Sequence, residues 1–180
     1  MLVRHADPAR DAAACVAIYA PYVEATAVSF EERVPTAERF AAHIAQTSER
    51  YPWLVLEAAE GRVVGYAYAT QHRARAAYRW AVDVGIYVAP THHGAGVGRA
   101  LYEALFGLLR RQGLRSAVAG VTLPNDASVG LHQALGFEHV GTYRDIGWKA
   151  GEWRDVSWWQ LQLAPGEDGP PPEPLGPQRL

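Results

Sequence analysis

Val82-Asp83-Val84-Gly85-Ile86-Tyr87-Val88, Ala89-Pro90-Thr91-His92 and His93-Gly94-Ala95-Gly96-Val97-Gly98-Arg99 run on without a break, and no other segment constrains the fold as tightly. The first run is rich in β-branched and aromatic residues and reads as a strand. The proline and turn stop it. Beyond Arg99, Leu101, Leu105, Leu108 and Leu109 recur at helical spacing, so one face of a helix is apolar. The pattern predicts strand, glycine-rich turn, helix. Glycines at alternate positions remove the Cβ atoms where the helix begins and leave N–H groups without intrahelical acceptors. Such an end, at the positive pole of the helix dipole, suits a pyrophosphate, and Arg99 adds a cation at its rim. Taken alone, the glycines are equally a tight turn; the flanking strand and long helix favour phosphate. The dinucleotide fingerprint has a longer spacing near the first strand, and a Walker loop ends in Gly-Lys-Ser/Thr. Neither NAD nor ATP is therefore the expected ligand.

The chain has 180 residues, enough for one domain with a proper core. Hydrophobic residues make up 49% and charged residues 20%, an ordinary globular balance. A net charge of −2 gives no electrostatic footprint for nucleic acid or a membrane surface. The lone Cys15 lies in an apolar helical stretch and reads as a buried structural thiol. No basic region followed by an apolar stretch opens the chain, and no apolar run reaches membrane-spanning length, so a cytoplasmic protein is expected. His92 and His93, adjacent on a turn with no ligand-spaced partner, do not suggest a metal site.

On either side of the glycine turn the elements alternate. Leu2–Ala6 reads as a strand. Asp7 caps a helix with Pro8 at its first position, running to about Glu24. A loop follows, then a second helix from Pro35 to about Arg50. Trp53–Ala58 and Val63–Ala69 form a hairpin through Glu60-Gly61-Arg62. Gln71–Arg79 is a polar loop. The long helix ends near Gln112, with Gly113 as its cap. Ser116–Thr122 is a strand, and Asn125 or Asp126 caps a short helix to Leu135. Phe137–Ile146 and Arg154–Leu163 are the last strands. Residues 1–164 form the domain, and 165–180, rich in Pro and Gly, read as a disordered tail. The order β-α-α-β-β-β-α-β-α-β-β predicts an α+β fold: a mixed, mostly antiparallel sheet flanked by helices, with one parallel pair from the βαβ unit at 82–122.

Val82–Val88, His93-Gly94-Ala95-Gly96-Val97-Gly98, Asn125 and Leu135-Gly136-Phe137 resemble the GCN5-related N-acetyltransferases. The family's pyrophosphate loop is Arg/Gln-x-x-Gly-x-Gly/Ala, and position 93 is His where Gln or Arg is usual. Within the family, Glu49–Val55, Arg73–Trp80, Leu123-Pro124-Asn125-Asp126 and Gly151–Val156 are similar to the phosphinothricin N-acetyltransferase branch, and the likeness covers residues 2–163.

The resemblance implies a fold with a splayed parallel strand pair and acetyl-CoA as co-substrate. It implies direct transfer to the α-amino group of a small anionic amino acid such as phosphinothricin, methionine sulfoximine or methionine sulfone. It implies a homodimer. It carries the base to Asp83, which is Asp where similar enzymes have Glu, and an acid for the thiolate to His132, where many members have Tyr. Cofactor contacts fall on Ile86, Tyr87, Val88, His93, Gly94, Ala95, Gly96, Val97, Gly98, Arg99, Asn125 and Ser128. The Val88 N–H is the oxyanion contact. Phe30 walls the acceptor pocket, and Val156 reaches a pocket, that of a second subunit. Arg73, Arg75 and Tyr78 form an anion clamp on chemical grounds, and the family makes its ligand a phosphinate, sulfone or sulfoximine. Each residue has a plainer role too: a surface carboxylate at Asp83, a packed histidine at His132, a helix cap at Asn125, a solvated basic loop at 73–79. A non-catalytic acyl-CoA-binding module, or transfer to another amine or a peptide, are the alternatives. His5, His43, His72 and His139 suggest only ordinary placement.

Overall fold

The computed structural model describes residues 1–164 and 171–177. Strands β1 (Leu2–His5), β2 (Trp53–Glu57), β3 (Val63–Gln71), β4 (Ala81–Val88), β5 (Ser116–Thr122), β6 (Glu138–Lys149) and β7 (Glu152–Gln162) form one sheet in the order β1-β2-β3-β4-β5-β7-β6. Only β4 and β5 run parallel; every other neighbouring pair is antiparallel. The α+β mixed sheet read from the element order is the one observed. Alternation along β2 splits the core in two. Leu54 and Leu56 join the cluster under α3 (Val97–Arg111), whereas Trp53 and Val55 join the one under α1 (Pro8–Glu24) and α2 (Ala37–Ser48).

The helix ends follow from local chemistry. The Asp7 carboxylate accepts from the N–H groups of Ala9 and Arg10, with Pro8 in the first turn, and starts α1. Thr36 caps α2 through the Arg39 N–H. Leu101, Tyr102, Leu105, Phe106, Leu108 and Leu109 form the buried face of α3. Asn125 caps α4 (Asp126–Ala134) through the Ser128 N–H. Cys15 is buried, which pushes its thiol up to about 12.

The strands β4 and β5 pair only over Ala81–Ser116, Val82–Ala117 and Asp83–Val118. Beyond Asp83 they part. The β6–β7 hairpin extends past the sheet and ties down the loop between α1 and α2. Lys149 donates to the carbonyls of Val23, at 2.9 Å, and Glu31, and Phe30 lies directly on Gly147.

Of the segment read as a disordered tail, 165–170 and 178–180 lie outside the described residues. Residues 171–177 lie against the domain. The Trp80 indole donates to the Pro172 carbonyl at 2.8 Å, Arg79 pairs with Glu173 at 2.8 Å, and the Leu175 N–H donates to the Gln112 carbonyl at 2.8 Å. The proline-rich composition removes the means to form helix or sheet without preventing a few anchored contacts.

Candidate active site

The glycine turn opens at Gly94 (φ +74°) and Gly96 (φ +79°), left-handed positions that favour glycine. A Cβ at either would meet nothing within 4 Å, so the turn presents an open face. The first helical bond runs from the Ala100 N–H to the Gly96 carbonyl. The N–H groups of Val97, Gly98 and Arg99 thus have no intrahelical acceptor. Gly98 faces inward: a Cβ there would come 3.0 Å from Leu131 and 3.5 Å from Ile86, so glycine lets α3 close onto α4 and β4. Arg99 reaches Glu103 at 3.3 Å and stays half exposed. His93 turns away from the open face. Its Nε2 lies 2.8 Å from the Tyr22 hydroxyl and 3.1 Å from the Val88 carbonyl, which also accepts from Tyr22 at 2.5 Å. Tyr22 spends its proton on Val88, so His93 Nε2 is the donor.

The backbone of β4 is exposed by the splay. The Ala89 N–H donates to the Val64 carbonyl at 2.8 Å, and β3–β4 pairing runs in unbroken register from Gly65–Val88 to Gln71–Val82. Alternation then turns the N–H groups of Ile86 and Val88 away from β3, toward the side where β5 has departed. A narrow cleft of about 70 Å³ occupies the gap, lined by Val84–Tyr87, Ala119–Thr122, Asn125, Ser128 and His132. An anionic pyrophosphate at the glycine turn and a thin pantetheine arm along β4 match this donor set. Asn125 uses its Oδ1 for the helix cap, and its side chain lines the cleft.

His132 is buried at 2% exposure at the base of the cleft. Its Nδ1 donates to the Ser128 carbonyl at 2.7 Å, and its Nε2 lies 3.3 Å from the Tyr102 hydroxyl, which donates to it. Burial holds the imidazole below its usual range, against the Ser128 hydrogen bond. The ring is neutral, and Tyr102, whose burial raises its phenol, carries the proton between them.

Two larger cavities adjoin the cleft. One of about 690 Å³ is lined by Val28, Phe30, Gly120, Thr122, Tyr143 and Val156 among others. The second, of about 490 Å³, has an aromatic floor of Phe40, Trp53, Tyr66 and Tyr68, rimmed by Arg39 and His43. Tyr19, Glu31 and Tyr87 line both, and Val28, Tyr87, Gly120 and Thr122 connect the first to the cleft. Phe30 and Val156 thus share a cavity within one chain.

Asp83 closes the apex of the splay. It shares a strand face with Gly85 and Tyr87, and the Tyr68 phenol lies over Gly85, where a Cβ would come within 2.8 Å. Burial raises the Asp83 carboxyl above its usual range, while His72 and the charge of Arg73 pull it down. The His72 Nδ1 is 2.6 Å from Asp83 Oδ1. Arg73, Arg75 and Tyr78 are exposed, and none of them lines these cavities. Arg73 acts on Asp83 through its charge, and the Tyr78 ring stands edge-on to His72 at 5.8 Å. His72, Tyr102, Tyr19 and Val28 are site residues that sequence reasoning passed over. For His72 a signal existed. Thr70 pairs with Asp83, which places residue 72 diagonally opposite Asp83 on the same face.

Comparison with known proteins agrees with this geometry. A family profile described as "Acetyltransferase (GNAT) domain" matches residues 6–158. Phosphinothricin N-acetyltransferase of Streptomyces viridochromogenes is 41% identical over 169 residues, covering 94% of this chain and 90% of that protein. An L-methionine sulfoximine/L-methionine sulfone acetyltransferase of Salmonella typhimurium is 40% identical over 164 residues, covering 91% and 95%. The crystal structure of a GNAT superfamily phosphinothricin acetyltransferase from Sinorhizobium meliloti, in complex with AcCoA, superposes with a TM-score of 0.90 at 34% identity, covering 96% of this chain and 93% of that one.

Proposed function

The chain belongs to the GNAT acetyltransferase family, and from that premise we propose that it acetylates the α-amino group of a small anionic amino acid of the phosphinothricin, methionine sulfoximine and methionine sulfone type. Acetyl-CoA is the donor, and the transfer is direct. The observation that carries the reading is the splay. The strand that parts from β5 after Asp83 turns the N–H groups of Ile86 and Val88 toward the gap and leads to an open glycine-headed helix.

Acetyl-CoA supplies an activated thioester. The chain's residues do the rest. The glycine turn, with the N–H groups of Val97, Gly98 and Arg99, holds the pyrophosphate. The N–H groups of Ile86 and Val88 face the acetyl region, and Val88 stabilises charge on the acetyl oxygen. Asn125 and Ser128 line the thioester arm. The amine, with an ordinary pKa near 8, attacks in its neutral form, and the Asp83 centre takes the proton it loses as the bond to the acetyl carbon forms. Tyr102, held against His132 Nε2, supplies the proton to the departing sulfur, and His132 orients that hydroxyl and completes the acid pair. Phe30 and Val156 wall the acceptor cavity. Arg73, Arg75 and Tyr78 draw in and hold the acidic end of the amino acid from the loop beside Asp83. The exposed Val140, Ile146, Trp148 and Trp153 of the β6–β7 hairpin support a homodimer.

Free-CoA release is the test, with phosphinothricin, methionine sulfoximine, methionine sulfone and a panel of ordinary amino acids as acceptors. The three acceptors with a phosphinate, sulfoximine or sulfone group are expected to give at least about tenfold higher kcat/KM than the others, about 1.4 kcal/mol of discrimination. Release favouring ordinary amino acids would refute the substrate class, and release with none would refute transfer to amino acids.

A further inference from the structure

We propose that His72, oriented by Asp83, is the atom-level base that receives the proton of the attacking amine; this deepens the acetyl-transfer reading and rests on it. The His72 Nδ1 sits 2.6 Å from Asp83 Oδ1. An ionised carboxylate only accepts, so the proton between them belongs to Nδ1. The lone pair is then on Nε2. That nitrogen has no hydrogen-bond partner among the described residues, whereas the buried His132 has both nitrogens engaged. The His72 side chain is 16% exposed, so the ring is fixed by its surroundings and still reachable. Tyr78 packs edge-on against it.

Position adds to geometry. Asp83 is the last β4 residue paired with β5, so the pair stands where the two strands part. The charged and titratable groups around it are Arg73 on the same loop, Tyr78 against the ring and Tyr68 on β3, whose phenol stays protonated because burial pushes it up to about 12. None of these competes for the proton of a neutral amine. A carboxylate is a poor match for an amine, whereas an imidazole is the side chain that most often carries protons in general acid–base catalysis near neutral pH. Asp83 then fixes the tautomer and steadies the imidazolium, as a positioning residue.

In the step, the neutral amine's lone pair forms the bond to the acetyl carbon. Its proton passes to His72 Nε2. The carbon–sulfur bond breaks, sulfur keeps the electron pair and takes a proton from the Tyr102–His132 pair, His72 returns its own to solvent, and solvent reprotonates the pair. The products are the N-acetyl amine and free CoA.

Two measurements on the full chain test this. The first needs no turnover. In the ¹⁵N-labelled protein above neutral pH, with the His72 signal identified by its loss in His72→Gln, long-range ¹H–¹⁵N spectra are expected to show the Nδ1–H tautomer. The Nε2–H tautomer would overturn the proposal. The second is kinetic. His72→Ala and His72→Gln are expected to lower kcat/KM about 100-fold with acetyl-CoA affinity unchanged. Added imidazole should restore part of the rate in His72→Ala, a rescue that a merely structural role does not give. A rate within about threefold of wild type, or a fall that imidazole leaves untouched, overturns the role of His72. Wild-type protein that releases no CoA with any amine overturns the acetyl-transfer reading itself.

Discussion

The proton inventory of the site comes down to two histidines with opposite wiring. His72 offers, beside a carboxylate, a nitrogen with no hydrogen-bond partner among the described residues; His132 donates its only N–H to a backbone carbonyl and accepts a hydrogen bond from Tyr102. Tyr102→Phe, which removes one hydroxyl, is expected to lower kcat about tenfold with little change in the KM for acetyl-CoA; an unchanged kcat would remove Tyr102 from the acid pair. His132 also links pH to stability. Its folded-state pKa lies below the unfolded value near 6.5 because the ring is buried. The unfolded chain therefore binds the extra proton first. The stability that the neutral ring contributes is complete above about pH 6.5 and is lost as pH falls through the folded-state value. Urea midpoints for wild type and His132→Gln, taken on both sides of about pH 6.5, should show the wild type losing more stability on the acid side. Parallel midpoints would contradict this.

The α1–α2 loop and the β6–β7 hairpin form one wall of the cavity of about 690 Å³ proposed to take the acceptor, and they are joined at Phe30 and Gly147. No room exists for a Cβ at Gly147. Gly147→Ala is expected to displace the Phe30 ring, cost about 1–3 kcal/mol of stability and raise the acceptor's KM more than that of acetyl-CoA. Equal changes in both would show that Phe30 does not line the acceptor site. This contact was invisible in the sequence, because 30 and 147 are joined only by the folded hairpin. What was legible were features with a local signature. The leucine spacing after Arg99 gave α3, Asp7-Pro8 gave the start of α1, Asn125 gave the cap of α4, and the βαβ order gave the one parallel pair. Partnerships across elements were not legible. The resemblance marks His132 as an acid, yet its tautomer depends on Tyr102 from another helix. His72 was read as ordinary, although the hairpin register aims it at Asp83.

Over the whole molecule, a buried ionic cluster fastens α1 to the first edge of the sheet. Asp11, 1% exposed, pairs with Arg4 at 2.6 Å, and Arg4 pairs with Glu57 at 2.8 Å. Burial alone would raise the Asp11 carboxyl, but the hydrogen bonds from Arg4 and the Asp7 N–H, with the charges of Arg4 and Arg10, bring it below its usual range. Its contribution is therefore full above the unfolded value near 3.9 and lost as pH falls further. Asp11→Asn leaves Arg4 with one buried partner fewer and is expected to cost about 3 kcal/mol, read as a lower urea midpoint with unchanged slope. A midpoint like that of wild type would show the cluster to be energetically neutral. The same α1 carries Tyr19 and Tyr22 to the cavity wall and the His93 turn, so this anchor also sets the site's geometry. All of these features serve one proposed reaction at that site. Incubation of the protein with acetyl-CoA and methionine sulfone, followed by fragmentation mass spectrometry, tests it most directly. The predicted product carries one acetyl group on the α-nitrogen, in equal amount to the free CoA released; CoA released while the amino acid stays unmodified, or no CoA released at all, would contradict it.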